Sequence, residues 1–364
     1  MLALGLTQSN NAAQPLLSSP VWAADPFHAQ IIVANCNDTN SRYVMQMSSN
    51  LTDWFPVMTN AADVTNISFT VPTAGETSFY RVATMQVPLP IFPVAITVAN
   101  YFSTTTAGEF VDSFDSSDPA YSTAGQWDVN KRKAGGDVAT PSSVIDAVYV
   151  GQATVFGRVH TGPGTSQSVV LLGANGAVGD AAWCAANEGI QPGHWLGDCR
   201  VNIPDVSEPA FAGDPLPAVT NGNIFLNGGF YTASDIPVSS LVIAGPTTLW
   251  VQGSFLAGNV TMTNGGSLVL YLGTTASGGS GSVTFSGTVN APGYATNLQV
   301  CGLPSLTNIT MNAQNFVGTI YAPQAAVNLL PRPVSGAMVV SSLHFLSHCQ
   351  FHFDESLRVT GPFR

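Results

Sequence analysis

From about residue 143 to 359 the chain alternates apolar runs of four to eight residues with turns rich in Gly, Asn and Ser. DAVYVG, ATVFGRVH, TTLWVQGSF, SLVLYLG, GTIYAP and AMVVSS typify the runs. Apolar runs of this length bounded by turn residues read as short strands. No window keeps a 3.6-residue period over ten residues, so helices should be few. The turns are irregular in length, unlike the uniform two-residue loops of antiparallel meanders. The runs recur with a period of roughly 20 residues, each period holding three short faces, as stacked repeats do. The pattern predicts an all-β protein whose residues 143–364 form a right-handed parallel β-solenoid (β-helix), with strands about 4.8 Å apart. An open end of such a stack is an aggregation template, and residues 101–142 are expected to cap the N-terminal end.

Residues 28–86 predict a separate unit, a small β-sandwich. AQIIVAN, RYVMQMSS, NISFTV and SFYRVAT are its strands, with Trp54 and Phe79 as the large apolar anchors. Residues 87–100 follow as a linker, because three prolines in PLPIFPV forbid a helix. The apolar stretch Pro88 to Ala99 is about twelve residues long, short of the about 20 a spanning helix needs. Residues 1–27 have no Lys or Arg and no sustained apolar run, so they make a poor secretory signal, although Val21-Trp22-Ala23 has the look of a cleavage site. This segment is expected to be poorly ordered or the remnant of an export signal.

Composition narrows the function. Ten Lys and Arg against 21 Asp and Glu give a net charge of −11, and charged residues are only 9% of the chain. A basic nucleic-acid surface is excluded, the single dense cluster being Lys131-Arg132-Lys133. Coiled coils are excluded too, and a hydrophobic content of 45% argues against charge-driven disorder. Scarce Lys with abundant Thr, Ser, Asn and Gly favours an exported protein of the cell surface or extracellular space. Five cysteines without CxxC spacing do not make a zinc cluster. Cys184 and Cys199 bracket a Gly- and Trp-rich loop that a disulfide could close, the alternative being buried free thiols.

Two stretches carry resemblances. YVMQMSSNLTDW (Tyr43 to Trp54) followed by FYRV (Phe79 to Val82) is similar to a small β-sandwich module of secreted bacterial proteins, to which no catalytic role attaches. VDSFDSSDPAYSTAGQWDVNKRKAGGDVAT (Val111 to Thr140), VYVGQATVFGRVHTGPG, VGTIYAPQAAVNL and HCQFHFDESL (His348 to Leu357) occur in that order. Together they resemble an uncharacterised domain family of bacterial surface and pilus-associated proteins over about 250 residues. That family carries a DSYDSSDP opening, a GTIYAPNA run and an HFHYDEAL ending. The resemblance implies a β-solenoid and no chemistry. Ser347-His348-Cys349 departs from the family's Gly-His-Phe.

Candidate chemistry is sparse. Asp112, Asp115 and Asp118 lie in one Ser/Asp/Pro loop and are candidates for Ca²⁺, although the loop lacks the DxDxDG alternation and such residues also serve as turn formers. His344, His348, His352, Asp354 and Glu355 crowd the C-terminus. In one extended strand His348 and His352 would stand about 13 Å apart, too far for one ion. His352 and Asp354 are then expected as a surface pair on a closing strand whose inner face is Cys349, Phe351 and Phe353. A weaker catalytic reading rests on His352, Asp354 and Glu355. Carboxylates one or two stack steps apart, about 5 Å or 9–10 Å, would suit glycoside hydrolysis, with Trp183, Trp195, Trp250 and Tyr271 as ligand-facing aromatics. Two functions are therefore expected. The first is a non-enzymatic exported scaffold or adhesion-type protein that binds glycans or other surface proteins without a cofactor. The second is a polysaccharide-binding or carbohydrate-active β-helix, with calcium as its one candidate ion.

Overall fold

This computed structural model describes residues 91–361 apart from 264, 276–281 and 331, and within residues 1–90 eight strands and the turn 49–52. The chain divides into two compact units, Met1–Leu89 with Phe363–Arg364, and Pro90–Pro362.

The first unit holds two four-stranded sheets. In one, Ser41–Ser48 runs antiparallel to both Phe55–Ala61 and Phe79–Gln86, and Leu4–Leu6 joins Phe79–Gln86 in parallel. In the other, His28–Ala34 runs antiparallel to Asn66–Pro72, Leu16–Leu17 and Val21–Trp22. Three short strands thus lie within residues 1–27. Met45, Phe69, Tyr80 and Val82 are buried. The expected anchor Phe79 is only half-buried, because alternation turns Tyr80 and Val82 inward instead. Trp54 lies outside the described residues.

The second unit is all-β, a single sheet of 24 strands in which every paired strand runs parallel to its partner. Its helices are two four-residue turns and two 3-10 turns among the described residues. None of the described helices is long and apolar enough to cross a membrane. The order of strands in the ladder differs from their order in the chain. Building starts at Ile96–Ser103 and Phe110–Phe114 and proceeds one way: Val138 and Val148 pair with Ile96 and Phe102, and Val159 pairs with Val138. Trp195, paired with Val159, lies at that extremity. Residues 199–213 then carry the chain to the opposite extremity, where Asp214 pairs with Tyr231. From there the steps return: Ser240 pairs with Asn259, Leu268 with Leu298, and Ile320 with Met338. The last strands, Pro333–Phe345 and Gln350–Asp354, finish against the first, with Met338 opposite Ile96 and Phe351 opposite Val111.

The opening strands are therefore flanked on both sides, and residues 101–142 do not cap an end. They occupy a seam where the two halves of the ladder meet. The physical reason is that an unpaired strand edge exposes a row of N–H and C=O groups, and the closing strands satisfy the edge that the opening strands would otherwise expose.

Alternation builds the core. In Ser267–Leu272 the residues Leu268, Leu270 and Leu272 are buried while Val269 and Tyr271 are half-buried. Inward phenyl rings stack from step to step, Phe255 on Phe285 at 5.2 Å and Phe285 on Phe316 at 5.6 Å. At the seam Phe102 meets Phe345 edge-on at 5.6 Å. One continuous apolar cluster runs the length of the ladder.

Candidate functional site

The distinctive sequence motifs converge on the outer face of the seam. After Phe110–Phe114 the chain leaves the ladder as residues 115–137 and lies across the strands Gln350–Asp354, Pro333–Phe345 and Asn315–Leu329. Side-chain bonds anchor this strap. Ser116 N–H donates to Asp354 Oδ1 at 3.1 Å, and Gln126 Nε2 donates to the Gly293 carbonyl at 2.9 Å. Ser113 Oγ donates to Glu355 Oε1 at 2.7 Å, Lys133 pairs with Glu355 Oε2, and Arg358 approaches the same carboxylate at 3.7 Å. Lys133 also lies over the Tyr121 ring at 4.7 Å. The return of the strap needs glycine: a Cβ on Gly136 would stand 2.8 Å from backbone atoms of Val111 and Asp112.

Beneath the strap one row of side chains crosses four adjacent strands in register: Asp112, His352, Ser335 and Val317. Asp112 and His352 are buried, and Asp112 Oδ1 meets His352 Nδ1 at 2.7 Å. Trp127 Nε1 donates to Asp112 Oδ2 at 3.1 Å, and its ring stacks on the imidazole at 3.9 Å and 22°. Phe110 adds a tilted contact with the imidazole at 5.6 Å. The second imidazole nitrogen, Nε2, is buried without a partner. A cavity of about 180 Å³ opens on the side of the ring away from Asp112, lined by Ser335, Asn315, Pro333, Gln350, Gln126 and Trp127 together with Val317 and His352.

This corrects the expected surface pair. His352 and Asp354 are both 1% exposed and do not bond one another. His352 pairs across the ladder with Asp112, while Asp354 accepts N–H groups of Ser116 and Ser356. Burial pushes the Asp354 carboxyl above its usual value, and the bonds from Ser116 and Ser356 offset only part of that. The strap covers the face that would otherwise be wet. His348 is outside the strand, in the left-handed region at φ 42 and exposed. Cys349, Phe351 and Phe353 form the inner stripe as expected.

The calcium expectation for Asp112, Asp115 and Asp118 is not met by the geometry. Asp112 is committed to His352 and Trp127. Asp115 Oδ1 accepts from Ser117 N–H at 3.0 Å and Ser117 Oγ at 2.6 Å, and Asp118 Oδ1 accepts from Ala120 N–H at 2.8 Å. These are local turns that Asp forms readily. Among the described residues no group of three or more His, Cys, Asp or Glu is placed to hold a metal.

A larger cavity, about 410 Å³, lies where residues 206–210 cross the ladder. Its floor is a second in-register row, Trp250, Tyr271, Cys301 and Tyr321, of which the last three line the cavity. Tyr321 Oη donates to the Pro204 carbonyl at 2.8 Å, and Thr275 N–H and Oγ1 donate to Glu208 Oε1 at 2.9 and 2.7 Å, tying the crossing segment down. Burial pushes the Cys301 thiol up to about 12. Of the four aromatics singled out in the sequence, Trp250 and Tyr271 share this row. Trp183 is elsewhere, in the one-turn helix Ala181–Cys184 capped by Asp180, and Trp195 packs against the core with its Nε1 unpartnered. Among the described residues Glu208 is the one carboxylate lining either cavity, so these residues do not form there the convergent carboxylate pair expected for glycoside hydrolysis.

Cys184 and Cys199 are free thiols, not a disulfide. Cys184 ends the helix Ala181–Cys184, while Cys199 N–H is held by the Thr161 carbonyl at 2.8 Å. Each is fixed to a different part of the ladder.

Trp127 lies 225 residues from His352 in sequence, so nothing in the chain order signals their contact. Ser335 carries no sequence signal at all.

Residues 199–360 match the family model of a domain of unknown function, DUF7305. No curated protein and no solved structure matches the chain. The matched stretch includes His352 and Ser335 but stops short of Asp112 and Trp127, which complete their surroundings.

Proposed function

We propose that the protein is an exported scaffold of the cell surface or matrix, built on a right-handed parallel β-solenoid. The register supports this reading of the fold. Phe316 lies opposite Val334 and Val334 opposite Phe351, steps of 18 and 17 residues, close to the about 20 of the shortest solenoid repeats. The first unit, with two sheets and Met45, Phe69 and Tyr80 buried, is read as a small β-sandwich. Resemblance of the strap and closing motifs to pilus-associated proteins points to other surface proteins as partners.

One observation carries the scaffold role. The first and last strands of the ladder pair with one another at an internal seam, so neither is left at a fraying end. A stack fastened in this way is stiff and resists opening, properties that presentation at a surface needs. Protease shaving of intact cells that make the full chain tests this: peptides from residues 91–361 should be released. Recovery of the protein only from the cytosolic fraction would overturn the proposal.

The row Trp250, Tyr271, Cys301, Tyr321 and its cavity favour a second reading, binding of a neutral glycan. Aromatic faces beside a few polar groups suit sugar rings. A glycan array probed with and without calcium checks it, and calcium-independent binding lost on Tyr271→Ala is the expected result.

A further inference from the structure

The row beneath the strap has an arrangement that a scaffold does not require. Asp112, His352 and Ser335 stand side by side in register on three adjacent strands. The carboxylate holds Nδ1 of the imidazole at 2.7 Å, and both groups are buried. That contact fixes the Nδ1–H tautomer and leaves Nε2 as an acceptor. Nε2 has no partner, which is costly for a buried nitrogen. The residue next in the row is Ser335, whose hydroxyl has no hydrogen-bond partner among the described residues and whose side chain lines the 180 Å³ cavity. Strands in a sheet lie about 4.8 Å apart, so the Ser335 hydroxyl stands one strand away from the imidazole that lines the same cavity. Orienting acid, base and nucleophile then follow one another, the order that activates a serine.

We propose that Ser335, His352 and Asp112 form an acyl-transfer site that hydrolyses short-chain esters. Ser335 Oγ attacks the ester carbonyl carbon and its proton passes to His352 Nε2. The carbon–oxygen bond to the alcohol breaks and the alcohol departs with that proton. Water then adds to the acyl-serine, giving a proton to Nε2. The carboxylic acid leaves as that proton returns to Oγ. Asp112 keeps the Nδ1 proton throughout and acts by positioning the ring and stabilising its charge. Nε2 has to reach only Ser335 and the departing oxygen beside it. Asn315 and Gln350, which line the same cavity, carry amide N–H groups able to face the developing oxyanion. The cavity volume admits an acetyl-sized group and excludes long chains. Trp127 and Gln126 of the strap line the cavity as well. This site is independent of the scaffold role and of the glycan reading.

The test uses the full chain. A fluorophosphonate probe should label Ser335, located by peptide mass spectrometry, and 4-methylumbelliferyl acetate should be turned over. Ser335→Ala should abolish the label and lower turnover at least 100-fold with an unchanged melting temperature, and Asp112→Asn should lower kcat more than it changes KM. Ser335→Cys separates chemistry from folding, since it should transfer modification to a thiol-directed probe at the same position. Absence of label on Ser335 in folded protein, or equal turnover by the parent and Ser335→Ala, overturns the proposal.

Discussion

At the scale of single residues, the Asp112–His352 pair is the most exacting feature. Two polar groups lie out of water, each depending on the other, and removal of one partner from a buried pair costs about 3–5 kcal/mol. His352→Leu should therefore destabilise the second unit by about that amount in urea titrations, although leucine is a good strand residue. A change under 1 kcal/mol would mean that Trp127 alone accommodates Asp112. A second titratable group lies beside the seam. His160 sits 2.8 Å from Asp198 and 3.9 Å from Asp137. Its pKa is raised above the usual 6.5, first by the neighbouring Asp137 carboxylate and then by Asp198, against the opposing effect of burial. Burial alone would push the Asp137 carboxyl up, but the neighbouring His160 imidazole, the bond from the Arg158 N–H and the charge of Arg358 hold it below its usual value. The raised imidazole contributes stability fully below pH 6.5 and loses it as pH rises through the raised value. The stability difference between the parent and His160→Asn should accordingly be larger at pH 5.5 than at pH 9. Thiols behave oppositely to reactive cysteines: burial raises Cys301 to about 12, and burial with the charge of Asp180 raises Cys184 to about 11. Both should resist thiol reagents at pH 7 until the chain is unfolded, and non-reducing peptide maps should show no Cys184–Cys199 link.

At the scale of elements, step-to-step packing decides what a substitution costs. Phe285 touches Phe255 on one side and Phe316 on the other and is fully buried. Phe285→Ala should cost about 3–5 kcal/mol, measured as a fall in the unfolding midpoint. Gly336 has φ +133 and would bring a Cβ onto the Gly318 carbonyl of the neighbouring strand. Both glycines lie opposite one another in the ladder, so the backbones approach closely where the GTIYAP run passes. Many short strands and few helices were legible from the apolar runs and the turn residues between them, because both are local properties of the chain. The surface assignment of His352 and Asp354 was not, because a strand pattern cannot show that a segment 240 residues away in sequence covers its outer face.

At the scale of the whole molecule, the two halves of the ladder depend on each other. The strands Ile96–Ser103 and Phe110–Phe114 pair with the final strands as well as with their own successors. A fragment cut to the matched stretch 199–360 would leave Met338–His344 and one edge of Gln350–Asp354 without their partners Ile96–Ser103 and Phe110–Phe114. It should be recovered as aggregate, whereas co-expression with residues 91–198 should restore soluble protein through the seam. Soluble, monomeric 199–360 by gel filtration would refute this dependence. The strap adds to the coupling, since Ser113, Ser116 and Lys133 of the first half bond Glu355 and Asp354 of the second.

Taken alone, the order of residues determined the all-β character, the parallel sense of the strands, the inner stripe of Cys349, Phe351 and Phe353, and the turn chemistry open to Asp115 and Asp118. The strands and the inner stripe follow from short apolar runs and local alternation, the turns from local hydrogen bonding, and the parallel sense from irregular turns between runs that recur about every 20 residues. Only the tertiary structure decided that the opening strands lie inside the ladder, that Asp112 and His352 bury each other, and that Cys184 and Cys199 remain apart. Those outcomes depend on which strand edges meet. That choice is set by the need to pair every exposed backbone group across the whole chain, a condition no short stretch of sequence carries.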